Sequence, residues 1–193
     1  MQGDVADPAD VTRIFDTAAR ELGAIGGLVN NAGITGRISR LDEAEIDTIR
    51  QAIDINVLGA LYCAREAVRR MSRKHGGHGG RIVNISSAAA TLGSPGEYVW
   101  YAASKGAVDS LTIGLSKEVA GEGIRVNGVA PGLTDTDIHA ESSQMPDRVE
   151  RLAPQVPLGR AGLPEEVAAA VMWLLANDSS YVAGTTIRVA GGR

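Results

Sequence analysis

Short runs of β-branched and apolar residues at Gly27–Asn31, Arg81–Ser86, Ile124–Ala130 and Thr185–Val189 alternate along this chain with longer stretches of helical periodicity. Strands that are apolar on both faces need cover on both faces, and alternation with helices supplies it through βαβ crossovers. The pattern therefore predicts an α/β fold with a doubly wound parallel sheet, in one domain spanning residues 1–193 without repeats or linkers. Asp7-Pro8-Ala9-Asp10 reads as the start of a helix that places Val11, Ile14, Phe15 and Ala18 on one face. Further helices are expected near Glu43–Lys74, Tyr101–Ala120 and Pro164–Leu175.

The chain's 193 residues, with 44% hydrophobic and 22% charged side chains, suffice for a sizeable core. A formal net charge of −4 and the lack of a long basic stripe argue against a nucleic-acid surface. Arg69-Arg70 and Arg73-Lys74 close a helix, where cations suit the dipole. The single cysteine, Cys63, excludes an internal disulfide and reads as a small helix core residue. No apolar run of about 18 residues and no signal-peptide pattern is present, so the expectation is a cytoplasmic protein with no membrane partner.

The chemistry concentrates at Tyr101 and Lys105, four positions apart and so on one helix face. A phenol titrates near pH 10, and a cation within about 4–6 Å lowers that by about 1–3 units, toward the range of general acid–base catalysis. Ser87 follows the apolar run Arg81–Ser86, at the carboxyl end of a strand, where ligands of open α/β sheets bind. Asn56 offers an amide within a helix, either functional or bonded locally. His75-Gly76-Gly77-His78-Gly79-Gly80 closes a helix and enters a strand, the reverse of a phosphate loop, and its two histidines lack a carboxylate or thiol partner for a metal. It reads as a flexible loop, and no metal is expected. Gly93-Ser94-Pro95-Gly96 is not a hydrolase elbow and reads as a bent loop flanking a substrate.

Asn30-Asn31-Ala32-Gly33, Asn56, Ser87, the Tyr101-x-x-x-Lys105 box and Pro131-Gly132, in that order, resemble the short-chain dehydrogenases/reductases. Leu92-Gly93-Ser94-Pro95-Gly96-Glu97-Tyr98 is similar to the bacterial subgroup labelled glucose-dehydrogenase-like. The resemblance implies a Rossmann-type oxidoreductase that moves a hydride between NAD or NADP and a small carbonyl or alcohol substrate. In it Tyr101 is the general acid/base, and Lys105 lowers the tyrosine's pKa and holds ribose hydroxyls. Ser87 orients the substrate oxygen, and Asn56 anchors a relay water. Asp4 and Val5 would lie near adenine, with Asn30, Ala32 and Gly33 beneath its ribose. Pro131, Gly132, Thr134 and Thr136 would line the nicotinamide, although the two threonines also suit turn and capping roles.

The family's glycine-rich turn and second strand have no counterpart ahead of Gln2-Gly3-Asp4-Val5, so the expectation is a domain lacking its first βαβ unit, with NAD versus NADP undetermined. In the family's strand order this leaves Gly27–Asn31 as a sheet edge open to pairing. The segment Asp135–Pro157 resembles a substrate lid, and His139 and Trp100 are candidates to face a ligand or simply to be exposed and packed, respectively. Small residues Ala60, Ala64, Ala107 and Gly114 beside Leu61, Val68, Leu111 and Leu115 imply a homodimer or homotetramer through two helices. Two other readings are a non-catalytic fragment that keeps the core and oligomer helices but binds no dinucleotide, and a Ser87/Lys105 hydrolase.

Overall fold

The computed structural model describes residues 1–138, 145 and 147–193. Helix α1 (Pro8–Leu22) starts where expected: the Asp7 carboxylate accepts from the Ala9 N–H at 2.8 Å, and Pro8 occupies the first turn, where its missing N–H costs nothing. Strand β1 (Gly27–Asn30) leads to α2 (Ile46–Ile53) and α3 (Ala60–Met71), then to β2 (Gly80–Ile85). After β2 come a short α4 (Ala89–Leu92), the long α5 (Val99–Val119) and β3 (Ile124–Pro131). Helices α6 (Arg148–Leu152) and α7 (Pro164–Leu175) precede β4 (Thr186–Val189).

All strand pairs are parallel, in the order β1-β2-β3-β4, with Val29 opposite Val83 and Val83 opposite Asn127. Strand alternation splits the core between two faces. Ile82 and Val126 pack with Val11, Phe15, Met71 and Val119 beneath α1, α3 and α5. Val83 and Val129 pack with Val171 and Leu174 beneath α7. Burying each such side chain contributes about 1.5–3 kcal/mol. β1 is an edge of this sheet, as expected, and Val29 is 41% exposed on it.

Two local features differ from the sequence expectation. The stretch read as one helix over Glu43–Lys74 is interrupted by a π-helical turn at Asp54–Gly59 that holds Asn56, and it ends in a 3₁₀ turn at Arg73–His75. The glycine loop after it is stitched rather than loose. Gly77 N–H donates to the Ser72 carbonyl at 2.9 Å and Gly79 N–H to the Met71 carbonyl at 2.7 Å. Gly79 has φ 85°, and a Cβ there would stand 2.5 Å from the Gly123 carbonyl oxygen, so the glycines serve close backbone approach. Cys63 is buried in the core, and burial pushes its thiol up to about 11. Among the described residues, no helix is long and apolar enough to cross a membrane.

Candidate active site

A cleft of about 800 Å³ opens at the carboxyl ends of the strands, the position that parallel sheets reserve for ligands. Ser87 enters it just after β2, and Tyr101 and Lys105 enter it from the first turns of α5. The Ser87 hydroxyl accepts from the Ala89 N–H at 3.1 Å and lines the same cleft as the Tyr101 phenol. Tyr98 packs edge-on against Tyr101, with ring centroids 5.5 Å apart at 87°. The helix thus holds the phenol between a serine alcohol and a second ring.

The electrostatics differ from the expected acidic phenol. Burial pushes the Tyr101 hydroxyl above its ordinary value, and the Ser87 bond opposes this only in part. The Lys105 ammonium lies 5.7 Å from the Tyr101 ring centroid and donates to the Ile85 carbonyl at 2.8 Å. Lys105 is 4% exposed, and burial lowers it to about 8 against an opposing pull from Asp109.

Asn56 is buried behind the pair. Its amide nitrogen donates to the Ile34 carbonyl at 2.8 Å and to Ser104 Oγ at 2.9 Å, and its oxygen accepts from the Ile34 N–H at 2.8 Å. Both amide donors are spent, so the side chain clamps a loop and is not free to hold a relay water through them. Ser104 in turn donates to the Tyr101 carbonyl at 2.7 Å, which couples the clamp to the turn that carries the phenol.

Gly33 approaches this cluster so closely that an added Cβ would lie 3.1 Å from Asn56 Oδ1 and 3.3 Å from Lys105 Nζ. Gly33→Ala is therefore expected to displace the lysine and weaken dinucleotide affinity about tenfold, at a stability cost of about 1–3 kcal/mol. A fluorescence titration and urea denaturation of the variant check this.

Of the other residues singled out in the sequence, Gly33, Pro131, Gly132, Thr134 and Thr136 line the cleft with Ser87, Tyr101 and Lys105. Asn30, Ala32, Asp4 and Val5 do not. The Asn30 amide donates to the Ala60 carbonyl at 3.2 Å and to Asn84 Oδ1 at 2.9 Å, tying β1 to α3 and β2. Asp4 accepts from the Ala6 N–H at 2.8 Å, and Val5 packs over Gly59 and the core. Trp100 is a packing residue, 3% exposed, whose indole donates to the Thr35 carbonyl at 2.8 Å. Ser94 and Pro95 of the bent loop line the cleft, as expected of a loop flanking a substrate. His139 lies outside the described residues, as does part of the expected lid.

The cleft also contains Glu97 and Tyr98, read in the sequence only for their subgroup likeness, and Arg148, read only as part of the lid segment. Arg148 on α6 is 8% exposed and pairs with Glu97 at 2.6 Å. The partners are 51 positions apart, so no local pattern could have joined them.

A family model described as Enoyl-(Acyl carrier protein) reductase matches residues 1–193. An uncharacterized oxidoreductase, YgfF, of Escherichia coli K12 is 48% identical over 193 residues, covering 100% of this chain and 78% of that protein. Glucose 1-dehydrogenase 2 of Bacillus subtilis is 33% identical over 192 residues, covering 100% of this chain and 73% of its own, in keeping with the subgroup expected from Leu92–Tyr98. A crystal structure of a gluconate 5-dehydrogenase from Burkholderia cenocepacia in complex with NADP and tartrate superposes with a TM-score of 0.88 at 35% identity, over 98% of this chain and 72% of the other. With the family model matching the whole chain and relatives this similar along it, the chain belongs to the short-chain dehydrogenase/reductase family.

Proposed function

We propose that residues 1–193 act as one Rossmann-type unit that interconverts a small carbonyl compound and its alcohol with NAD or NADP. The observation that carries this reading is the Tyr101 phenol, which shares a cleft at the strand ends with the Ser87 hydroxyl and the Lys105 ammonium and which burial raises above its ordinary value. Such a group is an acid awaiting a substrate oxygen. When bound, the nicotinamide cofactor supplies the hydride.

The residues present fit the nicotinamide half of such a cofactor. Lys105 spends one N–H on Ile85 and keeps two for ribose hydroxyls, while Pro131, Gly132, Thr134 and Thr136 wall the same cleft. Gly33 leaves open the space beside the lysine that a side chain would fill. In reduction, Tyr101 gives its proton to the carbonyl oxygen while Ser87 donates a second hydrogen bond to that oxygen, fixed in place where negative charge develops. Asn56 and Ser104 hold the supporting loop and the Tyr101 turn in position. Alcohol oxidation reverses the proton path.

Fluorescence titration with NADPH and NADH tests the reading: saturable quenching by either is expected. No binding of either would favour the reading of a fold that keeps its core and oligomer helices without a dinucleotide. We also propose that two copies pair through the groove between α3 and α5, where Leu61 is 41% exposed beside Ala64, Leu111 and Gly114. Sedimentation velocity should then show a dimer or larger species.

A further inference from the structure

Arg148 is a cation nine-tenths buried in the wall of the cleft, and its hydrogen bonding is incomplete. Its Nη2 donates to Glu97 Oε1 at 2.6 Å and to the Tyr98 hydroxyl at 3.4 Å. Its Nε is buried and has no hydrogen-bond partner among the described residues. Leaving a donor of a buried charged group unmet is costly, so such a group is expected to have a partner. Tyr98 places the guanidinium next to the chemistry: its hydroxyl touches Arg148 and its ring packs against the Tyr101 ring. The charge balance of the wall points the same way, with Lys105, Arg148 and Arg193 against Glu97 alone among the described residues.

We propose that Arg148 is a specificity-determining residue that binds a carboxylate carried by the substrate a few carbon atoms from its reacting carbonyl. The planar guanidinium matches a carboxylate in shape, offering two parallel N–H donors where an ammonium offers a point charge. Glu97 holds the guanidinium in place and competes with an incoming anion, which keeps the site from trapping small anions tightly. The substrate class is therefore short oxo acids and the corresponding hydroxy acids. This deepens the reductase reading by naming its substrate, but the carboxylate end binds without turnover and can be tested apart from it.

The test is a ligand-observed NMR titration of the full chain, without dinucleotide, using 5-oxohexanoate and methyl 5-oxohexanoate. The two share the ketone and differ in the charge. The wild type is expected to bind the acid about tenfold or more tighter than the ester. Arg148→Met should erase that preference while leaving ester binding unchanged. Glu97→Gln, which removes the competing carboxylate, should tighten acid binding several-fold and leave the ester alone. Far-UV circular dichroism checks each variant's fold, and should Arg148→Met fail to fold, Arg148→Lys and Glu97→Gln decide. Arg148→Lys keeps the charge but loses the fork, and is expected to retain only part of the preference. Equal affinities in the wild type, binding of neither ligand, a preference that survives intact in the Arg148 variant, or acid affinity unmoved in Glu97→Gln would overturn the proposal. A chain that prefers the acid yet binds neither NADH nor NADPH would refute the reductase reading and leave this one standing.

Discussion

Tyr101→Phe is expected to lower kcat for carbonyl reduction by about 10²–10⁴-fold, the usual share of a positioned proton donor, with dinucleotide affinity unchanged. The substitution deletes one oxygen and keeps the ring, whose edge-on packing against Tyr98 at 5.5 Å does not involve the hydroxyl. The loss therefore isolates proton transfer from packing. Steady-state rates and a parallel fluorescence titration separate the two quantities. Turnover retained in the variant would contradict the assignment of Tyr101, whatever the fate of the fold.

Lys105→Met is expected to have opposite effects on binding and stability. Removing the ammonium removes donors for ribose hydroxyls, so dinucleotide affinity falls. Stability at pH 7 should nevertheless rise. Burial lowers Lys105 from 10.5 to about 8, and each unit of such a shift corresponds to about 1.36 kcal/mol, an upper bound near 3 kcal/mol for holding the charge in the folded chain. The lost bond to the Ile85 carbonyl offsets about 1 kcal/mol of that gain. Between pH 8 and 10.5 the unfolded chain binds the extra proton, so wild-type stability relative to the variant climbs with pH across that window. The advantage of the variant should be full below pH 8 and gone above 10.5. Urea denaturation of both proteins at pH 7 and at several alkaline values measures it. A variant less stable at pH 7, or a difference indifferent to pH, would contradict the buried-charge account.

The strands were legible because a run such as Arg81–Ser86 has few alternatives to a sheet interior, and each observed strand ends within one residue of its expected bounds. The convergence of Ser87, Tyr101 and Lys105 was legible from strand end and helix spacing, and all three do line one cleft. The π turn at Asp54–Gly59 was not, since one extra residue per turn barely disturbs apolar periodicity. The direction of Asn30 was also hidden. Successive strand residues point to opposite faces, so its neighbours Val29 and Asn31 reach the cleft while Asn30 turns inward to Asn84. The burial that raises the Tyr101 phenol was hidden for a different reason: spacing reports how near a cation is, but not how much water the fold removes. Arg148 was invisible because its partners reach it only through tertiary packing.

The account rests on a phenolic acid meeting a carbonyl that receives hydride in the same cleft. Its most direct test is reduction of 5-oxohexanoate and its methyl ester with NADPH and NADH deuterated at nicotinamide C4, with mass analysis of the alcohol. The account predicts one deuterium on the carbinol carbon of the wild-type product and almost no labelled product from Tyr101→Phe. Unlabelled alcohol, no alcohol with either cofactor, or equal labelled yield from the variant would contradict it.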